Sequence, residues 1–149
     1  MSHLSKHFTL AELTVTDHRE FDNSPTQEEI SNLQRLAQLL EQVKETLGGK
    51  PIMINSAFRS KQVNDAVGSS DKSQHRKGCA ADFRVPGVTP DEVVRAVIAA
   101  DLPYQQLIRE FSDPVKGGGW THISITNTPD AEPRKQALII DKSGTRAFA

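Results

Sequence analysis

Apolar residues recur in the first third of the chain with the spacing of a helix that buries one face. In "NSPTQEEISNLQRLAQLLEQVKETLGG" they follow i, i+3, i+4 spacing from Ile30 to Leu47. Ser24 is expected to cap this helix, with Pro25 at its first helical position. Gly48–Gly49 is expected to end it. This segment predicts a scaffold helix that carries no chemistry.

A second amphipathic helix is predicted in "TPDEVVRAVIAAD". Thr89 is placed to cap it, Pro90 suits its first position, and Glu92 completes a capping box. Its apolar face consists of Val93, Val94, Val97 and Ile98. Shorter helical turns are predicted in "FTLAEL", with Thr9 as the cap, and in "QVNDAV".

Strand-like patterns occupy much of the remaining chain. Five segments are rich in strand-forming residues or alternate in polarity, namely "PIMINSAF", "CAADFRV", "QQLIREF", "WTHISIT" and "KQALIID". In "WTHISIT" the polar residues His122, Ser124 and Thr126 share one face, which predicts a polar row that could form the floor of a site. The arrangement predicts an α+β fold with a small, mainly antiparallel sheet flanked by helices.

Length and composition indicate one globular domain and exclude some partners. The 149 residues fit one domain, which we expect to span 1–149 with an N-terminal arm at 1–23 and a C-terminal tail at 142–149. A net charge of −1 argues against a nucleic-acid-binding surface, and no segment has the apolar length of a membrane span. No export signal is visible, and the single cysteine, Cys79, excludes an internal disulfide. We expect a soluble monomer.

Three residues have the chemistry of metal ligands. His75 lies in a polar loop just before a predicted strand, Asp82 lies on that strand, and His122 lies on a later strand that could pair with it. Catalytic zinc takes three protein ligands and keeps a position open for water. Spacing alone leaves two alternatives, because a histidine on a strand is more often merely hydrogen-bonded and an acid seven positions after a histidine occurs often by chance.

Three sequence blocks in order resemble the zinc D-alanyl-D-alanine carboxypeptidase family, which includes phage peptidoglycan endopeptidases. They are "SAFRS", "SQHRKGCAAD" and "WTH". The family pattern is serine–glycine–aromatic–arginine–serine, then Ser-x-His-x-x-Gly-x-Ala-x-Asp, then Trp-x-His. Ala57 stands where the family has glycine. The resemblance runs from the long helix to about residue 141 and is strongest to the compact single-domain branch.

This resemblance implies a zinc peptidase that acts on peptidoglycan stem peptides. It implies that His75, Asp82 and His122 are the zinc ligands, and that the bond cut is of the D-alanyl-D-alanine or the L-alanyl-D-glutamate type. Arg59 matches the family arginine that faces the substrate and the developing oxyanion. Ser73, expected to shape the loop, and Trp120 are placed with it at the substrate.

The general base departs from the commonest family pattern. Many relatives have an acid three residues before the last histidine, where this chain has Gly119. In the compact branch a glutamate follows the "QLI" strand instead, and Glu110 matches it. The resemblance therefore implies that Glu110 takes a proton from water and passes it to the leaving amine.

Two other hypotheses use the same fold. The chain could be a non-hydrolytic peptidoglycan-binding module or a phage virion structural module, and the glycine at 119 is compatible with lost catalysis. A purely structural metal site is disfavoured because such sites usually have four protein ligands, and Cys79 is the one further candidate ligand nearby. A wall substrate without an export signal suggests a phage or prophage lysis or tail protein, or a host protein that reaches the wall after release.

Overall fold

Six strands form one sheet in the computed structural model, which describes residues 2–148. The strands are β1 (Met53–Ser56), β2 (Ala80–Arg84), β3 (Gln106–Glu110), β4 (Trp120–Ser124), β5 (Gln136–Asp141) and β6 (Gly144–Ala147). Their order across the sheet is β1-β2-β4-β3-β5-β6, and only β3 and β5 pair in parallel. The predicted α+β class with a mainly antiparallel sheet is confirmed.

Four α-helices and one 3₁₀ helix accompany the sheet in the described part of the chain. They are α1 (Leu10–Leu13), α2 (Gln27–Thr46), α3 (Lys61–Ala66), the 3₁₀ helix (Gln74–Lys77) and α4 (Pro90–Ala99). The apolar faces of α2 and α4 share one core cluster with Phe83, Leu107 and Ile123 from the sheet. The opposite face of the three central strands, β2, β4 and β3, is therefore left to carry polar side chains.

The long helix begins two residues later than predicted. Thr26, not Ser24, is its N-cap: the Thr26 hydroxyl accepts from the backbone N–H of Glu29, and the Glu29 carboxylate accepts from the backbone N–H of Thr26. This reciprocal pair satisfies two free N–H groups. The Ser24 hydroxyl instead donates to Asp22 Oδ1 over 2.6 Å and takes no part in the cap. The predicted end is right, since Gly48 and Gly49 follow the last turn with positive φ.

Two further expectations differ from the structure. Ile98 was expected on the buried face of α4, but 40% of its surface is exposed because it lies at the rim of that face. The segment expected to be a tail contains β6, which forms a hairpin with β5 through backbone hydrogen bonds. None of the helices in residues 2–148 combines the length and apolar character needed to cross a membrane.

A buried ion pair ties β3 to α4 just before Glu110. The Arg109 side chain lies on the face of β3 opposite to that of Glu110. Its Nη1 donates to Asp91 Oδ1 over 2.8 Å. Both side chains are almost fully buried. Since a buried charge that loses its partner is strongly destabilising, this pair fixes the position of the strand end that carries Glu110.

Candidate metal centre

Three side chains with metal-binding groups converge on the open face of the central strands. Asp82 on β2 and His122 on β4 are direct cross-strand partners, and His75 reaches them from the 3₁₀ helix that precedes β2. One possible ligand atom from each residue lies within 4.8 Å of the others. The structure thus brings together the three residues that the sequence singled out.

The spacing of these atoms suits one small cation. His122 Nδ1 lies 2.8 Å from Asp82 Oδ1, and His75 Nε2 lies 3.4 Å from Asp82 Oδ2. Ligand atoms at zinc-binding distance in a tetrahedral shell are about 3.3 Å apart. Two imidazoles and one carboxylate are also a donor set that zinc accepts while a fourth position stays open.

A backbone carbonyl sets the tautomer of His75. Its Nδ1–H donates to the carbonyl oxygen of Ala57 over 2.7 Å, so the lone pair of neutral His75 is on Nε2, which faces Asp82. Burial lowers the pKa of His75, against the opposing charge of Asp82. A neutral imidazole whose second nitrogen is held by a carbonyl is the form that binds metals.

Asp82 is held as a carboxylate between the two imidazoles. Burial by itself would raise its pKa, but the hydrogen bond from His122 holds the pKa of Asp82 well below its usual range. The guanidinium of Arg59 adds a further contact, with Nη2 at 3.4 Å from Oδ2. The centre therefore keeps a negative charge that favours a cation.

The turn that carries His75 is built for close approach to α2. The Ser73 hydroxyl accepts from the backbone N–H of His75 and caps the 3₁₀ helix. Gly78 ends it with φ of 78°, and a Cβ there would lie 2.9 Å from the carbonyl oxygen of Glu29 and 3.1 Å from Leu33. Only glycine fits both the left-handed backbone and this spacing.

Gln74, to which the sequence assigned no role, ties this turn to the chain after β4. Its Nε2 donates to the carbonyl oxygen of Ile125 and to Oδ1 of Asn127, over 2.7 and 2.8 Å. The turn that holds His75 is thereby linked to the strand that holds His122.

Arg59 lies at the edge of the cluster with a fixed orientation. Its Nε donates to the Ser56 hydroxyl over 3.0 Å, and its side chain is only 14% exposed. Burial lowers the pKa of Arg59, opposed by the charges of Asp82 and Glu110. The guanidinium thus lies beside the Asp82 carboxylate on the open face of the sheet, where it can meet an anionic group.

Glu110 lies at the end of β3 on the same face as His122. Its Oε1 is 4.0 Å from His122 Nδ1, so the carboxylate borders the three-residue cluster. Burial and the neighbouring charge of Asp82 raise the pKa of Glu110, opposed by His122 and Arg59. A carboxyl group whose pKa is raised above its usual value is better suited to accept and return a proton.

The backbone at Gly119 excludes a side chain at the position where many relatives carry an acid. Gly119 has φ of 61°, and a Cβ there would collide with the carbonyl oxygen of Glu110 and with the backbone of Phe111. An acid at 119 therefore cannot be added to this loop without moving the strand end. The glycine is a packing requirement that supports the position of Glu110.

Replacing Gly119 by alanine is expected to destabilise the fold by about 1–3 kcal/mol through this collision. Gly118→Ala is the matched control, since Gly118 also has positive φ but a Cβ there would meet nothing within 4 Å. Gly118→Ala should lower the free energy of unfolding only through the backbone strain of a positive φ, by about 1 kcal/mol. Urea unfolding of both variants measures the difference. Equal losses of unfolding free energy would contradict the close packing on Glu110.

Trp120 lies across from Glu110 in the β3–β4 register and is half-buried. Its ring packs on Phe111, with centroids 5.6 Å apart, and its buried indole N–H has no hydrogen-bond partner within residues 2–148.

A groove of about 440 Å³ begins next to Trp120, at Gly119. Its lining includes Arg84 and Lys116 and no acidic side chain. The groove adjoins the strand end at Gly119, and neither Glu110 nor any of the three metal-binding residues is in its lining.

The predicted polar row on β4 contributes one residue to the cluster. The Ser124 hydroxyl is fully buried and accepts from the backbone N–H of Gln106, and the Thr126 hydroxyl donates to the carbonyl oxygen of Thr128. The expectation that all three residues form the floor of a site is therefore wrong, because Ser124 and Thr126 are buried.

Cys79 is buried in the core cluster and is not part of the metal-binding group, which argues against a four-ligand structural site.

A comparison with protein families gives the affiliation of the chain. The family described as Peptidase M15 matches residues 6–123. The chain belongs to the peptidase M15 family. A comparison with curated proteins found no match.

Membership confirms the resemblance found in the sequence and makes the chain a metallopeptidase of a family that is typically zinc-dependent. The matched M15 region begins at residue 6, so it includes most of the segment that the sequence analysis set apart as an arm. The segment also supports the loop that carries Arg59, because Asn23 hydrogen-bonds the backbone of Phe58 and Ser60. The one sequence signal of this support is an asparagine three residues before the N-cap of the long helix, which has no motif for distant partners.

Proposed function

We propose that this M15 metallopeptidase hydrolyses peptide bonds in the stem peptides of bacterial peptidoglycan with zinc as its cofactor. The bond is of the D-alanyl-D-alanine or the L-alanyl-D-glutamate type. The observation that carries the proposal is the convergence of His75, Asp82 and His122, with the carboxylate of Glu110 4.0 Å from His122. The proposed metal ligands are these three residues.

A zinc ion bound there supplies a Lewis acid that lowers the pKa of water and polarises a peptide carbonyl. The donor set supports this, because a neutral His75, an ionised Asp82 and the imidazole of His122 would hold the ion with three protein ligands and leave it accessible to water or substrate.

Glu110 is proposed as the general base and acid. Its carboxylate accepts the proton of the attacking water and returns it to the leaving amine, which the raised pKa of Glu110 favours. Arg59 is proposed to hold the developing oxyanion through its guanidinium N–H groups. Since Ser56 fixes the Nε of Arg59, little reorientation is needed during the reaction.

The substrate is proposed to extend from the three metal-binding residues past Trp120 toward the groove that starts at Gly119. Stem peptides carry free carboxylates, and Arg84 and Lys116 are the charged residues of the groove lining. Trp120 is proposed to border the substrate near the scissile bond, and Ser73 to border it beside the turn that holds His75. The proposed biological setting is a monomeric phage or prophage protein, or a host protein acting on the wall after release.

Mass spectrometry of products from defined muropeptides tests the activity and the bond together. We expect cleavage that is lost with a chelator and regained with added zinc. The alternative, a non-hydrolytic wall-binding or virion module, predicts binding to isolated peptidoglycan with no product under any metal condition. Absence of products together with such binding would replace the peptidase proposal by this alternative.

A further inference from the structure

Asn23 holds the backbone on both sides of Arg59. Its Oδ1 accepts from the backbone N–H of Ser60 over 2.7 Å, and its Nδ2 donates to the carbonyl oxygen of Phe58 over 3.1 Å. The same Nδ2 donates to the carbonyl oxygen of Thr14 over 2.9 Å. One amide side chain therefore connects the N-terminal segment to the residues immediately before and after the arginine.

The N-terminal segment is a firm support for this contact. Leu13 is fully buried, and its carbonyl oxygen accepts from the backbone N–H of Phe58 over 2.9 Å. Phe58 is itself 1% exposed within the core. The loop that precedes α3 thus docks on α1 through a backbone hydrogen bond as well as through Asn23.

The other side of the same loop contacts the turn that carries His75. The backbone N–H of Arg59 donates to the carbonyl oxygen of His75 over 3.0 Å, and the Ala57 carbonyl accepts from His75 Nδ1. Residues 57–60 therefore lie between the N-terminal segment and the metal centre. A shift of this loop would move the guanidinium of Arg59 relative to Asp82.

We infer that Asn23 is a positioning residue for Arg59, through which the N-terminal segment supports the site. The inference rests on the proposed function, in which Arg59 holds the oxyanion. Asn23 acts through the arginine. It sets the φ and ψ of residues 58–60 and therefore the position of the Arg59 backbone from which the guanidinium extends. It adds a residue from the N-terminal segment to the support of a site otherwise built from residues 56–122.

The test uses Asn23→Ala in the full chain, with Glu41→Gln as the matched control. Glu41 anchors the start of the same segment by accepting from the Ser5 hydroxyl and the His7 backbone, and does not contact residues 57–60. We expect Asn23→Ala to lower kcat/KM roughly ten- to hundred-fold, mainly in kcat, with unchanged zinc content. Glu41→Gln should leave kcat/KM unchanged even if it loosens the segment.

A double-mutant cycle separates positioning from general stability. In an Arg59→Ala background, Asn23→Ala should cause almost no further loss of kcat/KM, because the group it positions is absent. A full additional loss there, or an equal loss in Glu41→Gln, would overturn the inference in favour of a merely structural role.

Hydrogen exchange provides a readout that does not need turnover. Asn23→Ala should speed exchange of the backbone amides at Phe58 and Ser60, while amides in the middle of α4 keep their protection. If no muropeptide is cleaved by the unchanged protein, the proposed function fails. The exchange result still shows whether Asn23 holds the backbone at Phe58 and Ser60. Unchanged exchange at both amides would contradict this role of Asn23, whatever the activity of the variant.

Discussion

Replacing His122 by alanine is expected to abolish both zinc retention and peptide hydrolysis. Without this imidazole only His75 and Asp82 remain of the three-residue group, and two protein ligands are too few for a stable zinc site. Zinc per chain, measured after dialysis against metal-free buffer, should fall from about one to near zero. Hydrolysis of muropeptides should fall to the uncatalysed level, since the metal chemistry is lost.

His18→Ala is the matched control for this experiment. His18 lies in the N-terminal segment near Glu20 and is not part of the metal-binding group. Its replacement should leave both zinc content and turnover unchanged. Retention of about one zinc per chain by His122→Ala would contradict the assignment of His122 as a ligand. In that case, adding Asp82→Asn to the His122→Ala variant shows whether the Asp82 carboxylate holds the metal without this histidine.

Replacing Glu110 by glutamine is expected to separate metal binding from catalysis. The amide has nearly the shape of the carboxylate but cannot accept and return a proton, so kcat should fall by about 10²- to 10⁴-fold. Zinc content should stay at the level of the unchanged protein, because the Glu110 oxygen is 4.0 Å from His122 and outside the three-residue group. Steady-state kinetics on a defined muropeptide, with zinc measured on the same samples, checks both parts.

Glu132→Gln controls for loss of a negative charge, since Glu132 is exposed in the segment between β4 and β5. It should have no effect on kcat. Full activity of Glu110→Gln would move the base elsewhere. Such a result could not restore the role to position 119, because the backbone there excludes a side chain.

The secondary structure was readable from the sequence where a local pattern was complete. The capping box of α4 and the apolar period of α2 lie within single segments, and the structure agrees with both apart from the start of α2. That start was misplaced because Ser24–Gln27 and Thr26–Glu29 both have the spacing of a capping box, and the folded chain uses the second pair. The strand β6 has no alternating apolar pattern, and its pairing with β5 alone defines it.

The candidate ligands were readable in kind but not in position. The histidine and acid types, their order along the chain and the resemblance to M15 peptidases are properties of the sequence. Their convergence depends on the pairing of β2 with β4, which places Asp82 opposite His122, and on the turn that carries His75 across α2. Such contacts join segments far apart in the chain, so no local pattern encodes them.

By itself the sequence determined the family, the fold class and the residues able to bind a metal or move a proton. The sequence pointed to Glu110, but the tertiary structure alone brought its carboxylate to 4.0 Å from His122 and explained why Gly119 cannot be an acid, because both follow from the packing of one backbone on another. It also decided that Asn23 supports Arg59. An asparagine has no sequence signature for distant backbone partners, since its hydrogen bonds depend on where the folded chain brings them.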